Sequence, residues 1–135
     1  MDQEEIITRI KKDFKSILPD VYGVLLYGSW ATREENERSD IDICLVAPES
    51  KNLIFLQRKA LALIQDDRYD VRIFELLPLY LKVEVMEKGV VVYSRNLCEL
   101  YEYFYFFRKL WAEQKDRQTL SREEALVMFS ESSYG

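Results

Sequence analysis

The chain has 135 residues, of which 48% are hydrophobic and 32% are charged, and its formal net charge is −5. This length and composition predict a single folded domain over residues 1–135, and the acidic balance argues against a general clamp on nucleic acid, which needs a basic surface. No apolar run approaches the roughly 18 residues of a membrane span, and the acidic N-terminus lacks the pattern of a secretion signal. We therefore expect a cytoplasmic protein with no membrane partner.

The predicted elements follow from hydrophobic periodicity and from Gly and Pro positions. In chain order they are a helix at 2–18, a strand at 21–28, a short helix at 30–38, a strand at 40–47, a helix at 52–67, a strand at 69–77, a helix at 79–89, a strand at 90–94, a helix at 97–118 and a last helix at 121–131. The last helix begins with a capping box at Ser121 and Glu124. This alternation predicts an α/β or α+β fold with helices on one or both faces of a sheet.

The absence of histidine narrows the chemistry. Without it, Ser/His/Asp and Cys/His triads and imidazole-bound zinc are excluded. The two cysteines, Cys44 and Cys98, predict neither a disulfide framework nor a structural zinc site, and Cys44 is expected to be a small buried hydrophobic residue. Any catalysis must use carboxylates, hydroxyls and lysines, and any metal would prefer oxygen ligands, as Mg²⁺ and Mn²⁺ do.

Two aspartates, Asp40 and Asp42, lie two residues apart in the predicted strand at 40–47. Side chains alternate along a strand, so both carboxylates point the same way while Ile41 and Ile43 point into the core. Two like charges held together are costly unless they are compensated, and a divalent cation is a natural partner. The pair predicts a metal site, although Asp-x-Asp also occurs in loops and on solvent-facing strand edges.

Gly28 and Ser29 end the preceding strand, where the short helix begins. A glycine lets backbone N–H groups approach a ligand closely, and a helix N-terminus favours phosphate. A Gly-Ser pair alone is usually a turn, but a phosphate cradle on a strand adjacent to an acid pair is more specific. The combination predicts a site for a metal-bound nucleotide, where phosphoryl transfer needs no histidine.

The spacing of these motifs is similar to the signature of the DNA polymerase beta nucleotidyltransferase superfamily, and so short a chain resembles its minimal nucleotidyltransferases. The matching residues are Gly28, Ser29, Ala31, Ser39, Asp40, Ile41 and Asp42. Downstream, DVRIFELLP resembles the family's third strand, on which Asp70 matches the third carboxylate and Glu75 and Pro78 also match. Glu75 is the alternative third acid, on the opposite face from Asp70 by parity. The family often has glycine where this chain has Arg33.

The resemblance covers about residues 5–95, leaves 97–135 as a C-terminal helical extension, and implies a mixed sheet flanked by helices. It also implies a reaction on ATP or another nucleoside triphosphate that depends on Mg²⁺ or Mn²⁺. The third carboxylate of the family would help to bind a second metal ion and would deprotonate the acceptor hydroxyl. The implied catalytic and metal-binding residues are Asp40, Asp42 and Asp70, and the implied nucleotide-binding residues are Gly28, Ser29 and Ser39.

The acceptor is also suggested by the resemblance. Minimal nucleotidyltransferases resemble antitoxins encoded beside HEPN ribonuclease toxins, and several are understood to transfer AMP from ATP to a toxin tyrosine. The resemblance therefore implies protein adenylylation of a partner HEPN toxin. Two alternatives stay open, namely transfer to a small molecule, as in aminoglycoside-modifying relatives, and a non-catalytic antitoxin that acts by binding.

The predicted helix at 97–118 carries two apolar stripes. They consist of Leu97, Leu100, Phe104, Phe107 and Trp111, and of Tyr103, Phe106 and Leu110. One stripe suffices to pack a helix on a sheet. The second belongs either to the core or to a surface for a partner protein or for another copy of the chain. Trp30, Lys82 and Lys88 are further candidates for nucleotide contacts, with packing or solvation as the ordinary alternatives.

Overall fold

The computed structural model describes residues 2–33, 40–64 and 66–132, and it describes side chains as far as residue 115. Two 3₁₀ turns lie at Leu18–Asp20 and Phe74–Leu76. The helices and strands are α1 (Gln3–Asp13), β1 (Gly23–Tyr27), α2 (Ser29–Thr32), β2 (Ile41–Val46), α3 (Leu53–Leu63), β3 (Tyr69–Ile73), α4 (Leu79–Lys88), β4 (Val90–Ser94) and α5 (Leu97–Ser132).

The described strands form one mixed sheet in the order β3-β2-β1-β4. Strand β1 is antiparallel to both β2 and β4, whereas β2 and β3 are parallel. A parallel pair needs a crossover connection, and α3 supplies it between these two strands. The predicted α/β fold with a mixed sheet and flanking helices is confirmed.

Apolar side chains cover both faces of the sheet. On one face, Ile6 and Phe14 from α1 and its C-cap pack in the same cluster as Ile41 and Ile43, as predicted for these two isoleucines. On the other face, the side chains of α4 and α5 pack against Cys44, which is fully buried, also as predicted. A strand buried on both faces has a nearly continuous apolar sequence, as β2 does. The polar Asp42 therefore stands out within it.

Helix α1 ends at Asp13 rather than at residue 18. Phe14 caps the helix and is fully buried, and Ile17 reaches the core from the turn that follows. The apolar spacing that predicted a longer helix continues through this turn, because the same side chains are needed in the core. Helix α3 likewise ends at Leu63 rather than at residue 67, and Leu63 is exposed although it follows the buried Leu56 by seven residues, a spacing typical of one helix face.

Strand β3 ends at Ile73 rather than at residue 77, because a 3₁₀ turn begins at Phe74. The turn breaks the strand alternation, so the placement of Glu75 on the opposite face from Asp70 was wrong. Its carboxylate lies at the far end of β2, where it accepts hydrogen bonds from the Ala47 N–H (2.8 Å) and the Tyr103 hydroxyl (2.8 Å). Glu75 thus connects the sheet to α5.

Helix α5 is continuous from Leu97 to Ser132, so the prediction of a separate last helix at 121–131 was wrong. No Gly or Pro lies between the two predicted helices, and nothing there forces the first to end. The capping box at Ser121 and Glu124 therefore starts no new helix. Within the described part of the chain, no helix is both long and apolar enough to cross a membrane.

The aromatic residues of α5 are divided between the core and the surface. Leu100 and Phe104 are buried, and Tyr103 and Phe107 pack against the same cluster. Leu97 and Phe106 are exposed, contrary to a simple two-stripe packing. The exposed aromatic surface of α5 consists of Tyr101, Tyr105 and Phe106.

Candidate active site

Two of the predicted carboxylates lie side by side at one end of the sheet. In the strand register, Asp42 of β2 is next to Asp70 of β3 and, on its other side, opposite Tyr27 of β1. Residues paired across strands in this way present their side chains on the same face. Asp40 immediately precedes β2 and is exposed, and Ser39 lies outside the described residues, as does most of the predicted helix at 30–38.

The acid pair is only partly compensated, since the Arg72 Nε lies 3.6 Å from the Asp70 carboxylate and Asp42 makes no ion pair with any described residue. Burial raises the pKa of the Asp42 carboxyl to about 6, with further contributions from the negative charges of Asp70 and Asp40, while the Arg72 guanidinium lowers it. Burial and the nearby Asp42 charge also raise the pKa of the Tyr27 phenol, which therefore stays protonated. Carboxylates that repel one another in this way gain from a cation placed between them.

Gly28 holds the backbone against the Asp42 carboxylate. It has φ +71°, a conformation that side chains rarely allow, and it caps the N-terminus of α2. A Cβ at this position would lie 2.2 Å from the Asp42 Oδ2, well inside van der Waals contact. The absence of a side chain is therefore required both by the turn and by the carboxylate, which explains why the sequence has glycine before Ser29.

A groove runs between this end of the sheet and α4. Its two adjacent parts have volumes of about 360 and 220 Å³. Gly28 and Ser29 line the first part, and Asp42, Asp70 and Arg72 line the second. One elongated ligand in the groove would contact both motifs. The residues that line both parts are Tyr27, Leu81 and Val85.

A separate cavity of about 450 Å³ lies at the opposite end of the sheet. Apart from Lys51, its charged side chains pair within the chain, since Lys59 contacts Asp20 (2.8 Å) and Arg95 contacts Glu49 (3.5 Å). In the groove, Asp70 lies 3.6 Å from the Arg72 guanidinium, but the partly buried Asp42 carboxylate makes no ion pair with any described residue. We therefore assign the candidate active site to the groove rather than to the cavity at the opposite end.

The donor set of the groove fits an oxygen-preferring cation. Asp42 and Asp70, with Asp40 just before the strand, offer carboxylate oxygens, which are the ligands that Mg²⁺ and Mn²⁺ favour. Gly28 leaves open the space beside the Asp42 carboxylate that a side chain would fill. Among the residues that the structure describes, no three acidic or thiol side chains are already gathered around one point. A metal ion would have to supply that organisation on binding.

Arg33 stands where the resemblance implies a glycine. It is exposed and has φ +62° and ψ +30°, in the left-handed region that favours glycine. We expect Arg33→Gly to raise the free energy of unfolding by about 0.5–1 kcal/mol in urea denaturation, because it relieves this conformation at some cost in chain entropy. Thr32→Gly, inside α2, is the control and should lower stability. A loss of stability in Arg33→Gly would contradict the assigned backbone conformation.

Of the three further residues that the sequence offered for nucleotide contacts, only one lines the groove. Trp30 is buried in the core beneath α2, so the packing alternative is confirmed. The Lys82 ammonium donates to the Leu77 carbonyl and lies over the Phe74 ring, away from the Gly-Ser motif. Lys88 does line the groove, where it is exposed and 3.7 Å from the Glu84 carboxylate.

Tyr27 and Arg72 line the groove although the sequence analysis named neither. Arg72 follows Asp70 by two residues and therefore shares its strand face, a parity that was visible in the sequence. Tyr27 directly precedes Gly28, but its position beside the acids depends on the pairing of β1 with β2. Arg72 could have been found from the sequence, whereas Tyr27 required knowledge of the strand register.

Solved structures with this fold include toxin–antitoxin complexes. One, a toxin–antitoxin with AMP-PNP, contains a chain 20% identical to this one, with a TM-score of 0.64 over 87% of this chain and 96% of that chain. Another contains a tri-AMPylated Shewanella oneidensis HEPN toxin in complex with an MNT antitoxin, with 18% identity and a TM-score of 0.62 over 90% and 97% of the two chains. At these identities the likeness shows the fold.

Sequence comparisons show the family. A Methanocaldococcus jannaschii protein named a putative protein adenylyltransferase is 43% identical over 97 residues, which is 72% of this chain and 75% of that protein. The family model described as polymerase beta, nucleotidyltransferase matches residues 4–97. The predicted enzyme class is confirmed, and this chain belongs to the polymerase beta nucleotidyltransferase family.

Proposed function

We propose that this nucleotidyltransferase transfers AMP from ATP to a hydroxyl group of a protein, most simply a tyrosine of a partner HEPN toxin. The observation that carries the proposal is that Gly28 and Ser29 line one part of the groove and Asp42 and Asp70 line the adjacent part, with Tyr27, Leu81 and Val85 shared by both. The relative named as a protein adenylyltransferase supports a protein acceptor, and the toxin–antitoxin complexes of the same fold support a toxin. In this proposal residues 1–135 act as one catalytic domain in the cytoplasm.

The groove residues have roles that their positions suggest, and the resemblance adds Asp40 and Ser39. Gly28 and Ser29, at the start of α2, hold the β- and γ-phosphates through backbone N–H groups and the serine hydroxyl, and Ser39 assists them. Asp40, Asp42 and Asp70 would hold Mg²⁺ or Mn²⁺, and a metal ion there would neutralise the charge of the triphosphate and polarise the α-phosphate. Asp70, at the edge of the sheet, accepts the proton of the attacking hydroxyl. The oxygen of that hydroxyl forms a bond to the α-phosphorus. The bond from the α-phosphorus to the β-phosphate oxygen breaks, and pyrophosphate leaves.

A second candidate function is that of a non-catalytic antitoxin. The exposed aromatic surface of α5 (Tyr101, Tyr105 and Phe106) favours it, because such residues are enriched at protein interfaces. The same surface would also suit association of two copies. Tyr103 does not belong to it, since its hydroxyl bonds to Glu75 inside the molecule.

The test is incubation of the full chain with radiolabelled ATP and Mg²⁺, alone and with the product of the neighbouring gene, followed by a denaturing gel and mass spectrometry. We expect an AMP adduct on a tyrosine of that product, which the Asp40→Asn, Asp42→Asn double variant should not form. EDTA should also abolish the adduct in the wild type. Asp67→Asn, an exposed aspartate outside the groove, is the matched control and should retain transfer.

The alternative predicts a different pattern. A binding antitoxin would form a stable complex with no adduct, would neutralise the partner as the double variant, and would fail when Tyr101, Tyr105 and Phe106 are replaced by alanine. An adduct on a small molecule alone would instead favour the third hypothesis. Either result would refute protein adenylylation by this site.

A further inference from the structure

The hydroxyl group of Tyr27, beside the candidate active site, has no partner among the residues that the structure describes. Its side chain is partly buried, yet the phenol makes no hydrogen bond to any of them. Other phenols of the chain do bond within it. That of Tyr69 donates to Asp13 (2.7 Å), and that of Tyr103 donates to Glu75 (2.8 Å). A polar group left unpaired in a partly buried place is costly, and it calls for a partner from outside the chain.

Tyr27 lies where the two parts of the groove meet. It is one of three residues that line both parts, and the other two, Leu81 and Val85, are apolar. The register of β1 and β2 places it opposite Asp42, so the two side chains share a face of the sheet. Burial and the charge of Asp42 raise the pKa of the phenol, so the hydroxyl lies close enough to this carboxylate for its charge to act there.

This position corresponds to the middle of the phosphate chain of a bound nucleotide. In the proposed function, Gly28 and Ser29 hold the β- and γ-phosphates in one part of the groove, and the α-phosphate lies with the acids in the other. A phenol donates a hydrogen bond, and phosphate oxygens accept one. The apolar side chains of Leu81 and Val85 keep the surroundings low in dielectric, where such a bond to a developing charge is strong.

We propose that the Tyr27 hydroxyl donates a hydrogen bond to the oxygen that bridges the α- and β-phosphates of ATP and stabilises the negative charge that develops there as pyrophosphate leaves. This inference rests on the proposed function and adds a catalytic residue to it. The acceptor oxygen forms a bond to the α-phosphorus, the bond from the α-phosphorus to the bridging oxygen breaks, and the electron pair stays on that oxygen. The proton of the acceptor goes to Asp70, whereas Tyr27 keeps its own proton.

The first test is Tyr27→Phe, which removes the hydroxyl and keeps the ring that packs against Cys44 and its apolar neighbours. With ATP, Mg²⁺ and the product of the neighbouring gene, we expect the single-turnover rate of AMP transfer to fall by about tenfold to a hundredfold. Binding of AMP-PNP, measured by calorimetry, should weaken by less than about threefold, because the charge develops only in the transition state. Tyr80→Phe, at an exposed tyrosine of α4 that lines neither part of the groove, is the control and should change neither value.

A series of leaving groups distinguishes this role from a structural one. ATP analogues with a methylene or a difluoromethylene group between the β- and γ-phosphorus atoms keep the oxygen between the α- and β-phosphates. The methylene analogue has a more basic leaving group than ATP, and the difluoromethylene analogue has a less basic one. The ratio of the wild-type rate to the Tyr27→Phe rate should therefore be largest for the methylene analogue and smallest for the difluoromethylene analogue. A variant that only distorts the groove would lower all three rates by the same factor.

Stability gives a measurement that needs neither nucleotide nor metal. Because Tyr27→Phe removes a hydroxyl that has no partner in the chain, the urea midpoint in EDTA should stay the same or rise. Tyr103→Phe removes a hydroxyl that is bonded to Glu75, and it should lower the midpoint. Comparison of these two variants tests directly whether the Tyr27 hydroxyl is free to bind a ligand.

The outcomes separate this inference from the proposed function. A fall in the urea midpoint of Tyr27→Phe as large as that of Tyr103→Phe would overturn the inference, because the hydroxyl would then have a partner within the chain. Unchanged transfer in Tyr27→Phe, or one rate ratio for all three nucleotides, would also overturn it and would leave the proposed function intact. Failure of the wild type to form any AMP adduct on a protein would refute the proposed function itself, and the inference with it.

Discussion

Asp42→Asn should abolish nucleotide transfer and, at the same time, make the metal-free chain more stable. The pKa of Asp42 in the folded chain is about 6, above its usual value of 3.8. Between these values the folded state binds the proton more tightly than the unfolded chain does, so this residue makes stability fall as the pH rises from about 4 to about 6. Asparagine does not ionise, so the variant lacks this fall in stability with rising pH.

The expected gain in stability of Asp42→Asn is modest, and the expected loss of nucleotide transfer is large. A carboxylate that is half buried is partly screened by water, so we expect the free energy of unfolding at pH 8 to rise by about 1 kcal/mol. Transfer should fall by more than about a hundredfold, since even the outer partners of metal ligands cost 10–100-fold when they are replaced. The opposite signs distinguish a functional carboxylate from a structural one.

Urea denaturation in EDTA, at pH 4.5 and at pH 8, measures the change in the free energy of unfolding without metal. The difference between the wild type and Asp42→Asn should be larger at pH 8, and Mg²⁺ should stabilise the wild type more than the variant. Asp67→Asn is the control and should show neither behaviour. A variant that is less stable than the wild type at pH 8 without metal would show that the Asp42 carboxylate serves the fold rather than a bound cation.

Gly28→Ala should lower both stability and transfer. The backbone at Gly28 has φ +71°, and a Cβ there would lie 2.2 Å from the Asp42 Oδ2. The backbone conformation alone costs about 1–3 kcal/mol for a residue with a side chain, and the clash adds to it. The carboxylate would also be displaced from the groove, so we expect transfer to fall even at temperatures where the variant is folded.

A double-mutant cycle separates the two causes. In the Asp42→Ala background the clash with the carboxylate is absent, so Gly28→Ala should cost less stability there than in the wild type. The remaining cost reports the backbone conformation. Equal costs in the two backgrounds would show that Gly28 and Asp42 are not in contact. Ser29→Ala, which adds no Cβ, is the control and should cost the same stability in both backgrounds.

The elements of this fold were largely predictable because their signals are local. The apolar run on each side of Gly28 and the alternation through Asp42 depend on neighbouring residues, and the strands β1, β2 and β4 lie within two residues of their predicted bounds. Apart from the division of α5 into two helices, the errors occurred where tertiary contacts override periodicity. Leu63 has core spacing but is exposed, and Phe74 begins a 3₁₀ turn in what had the pattern of a strand.

The sequence by itself determined the family and the chemical character of the site. Gly28, Ser29, Asp40 and Asp42 belong to one short segment with a definite spacing, and such a motif keeps its meaning without knowledge of the rest of the fold. The absence of histidine restricted the chemistry to carboxylates and hydroxyls for the same reason, because it is a property of composition alone.

Only the tertiary structure decided which distant residues join that segment. The parallel register of β2 and β3 places Asp70 beside Asp42, whereas the turn after β3 carries Glu75 to the other end of β2, where it bonds to Tyr103. Two carboxylates of one stretch thus have different environments. Strand pairing and turn geometry depend on contacts between segments far apart in the chain, and no local pattern contains them.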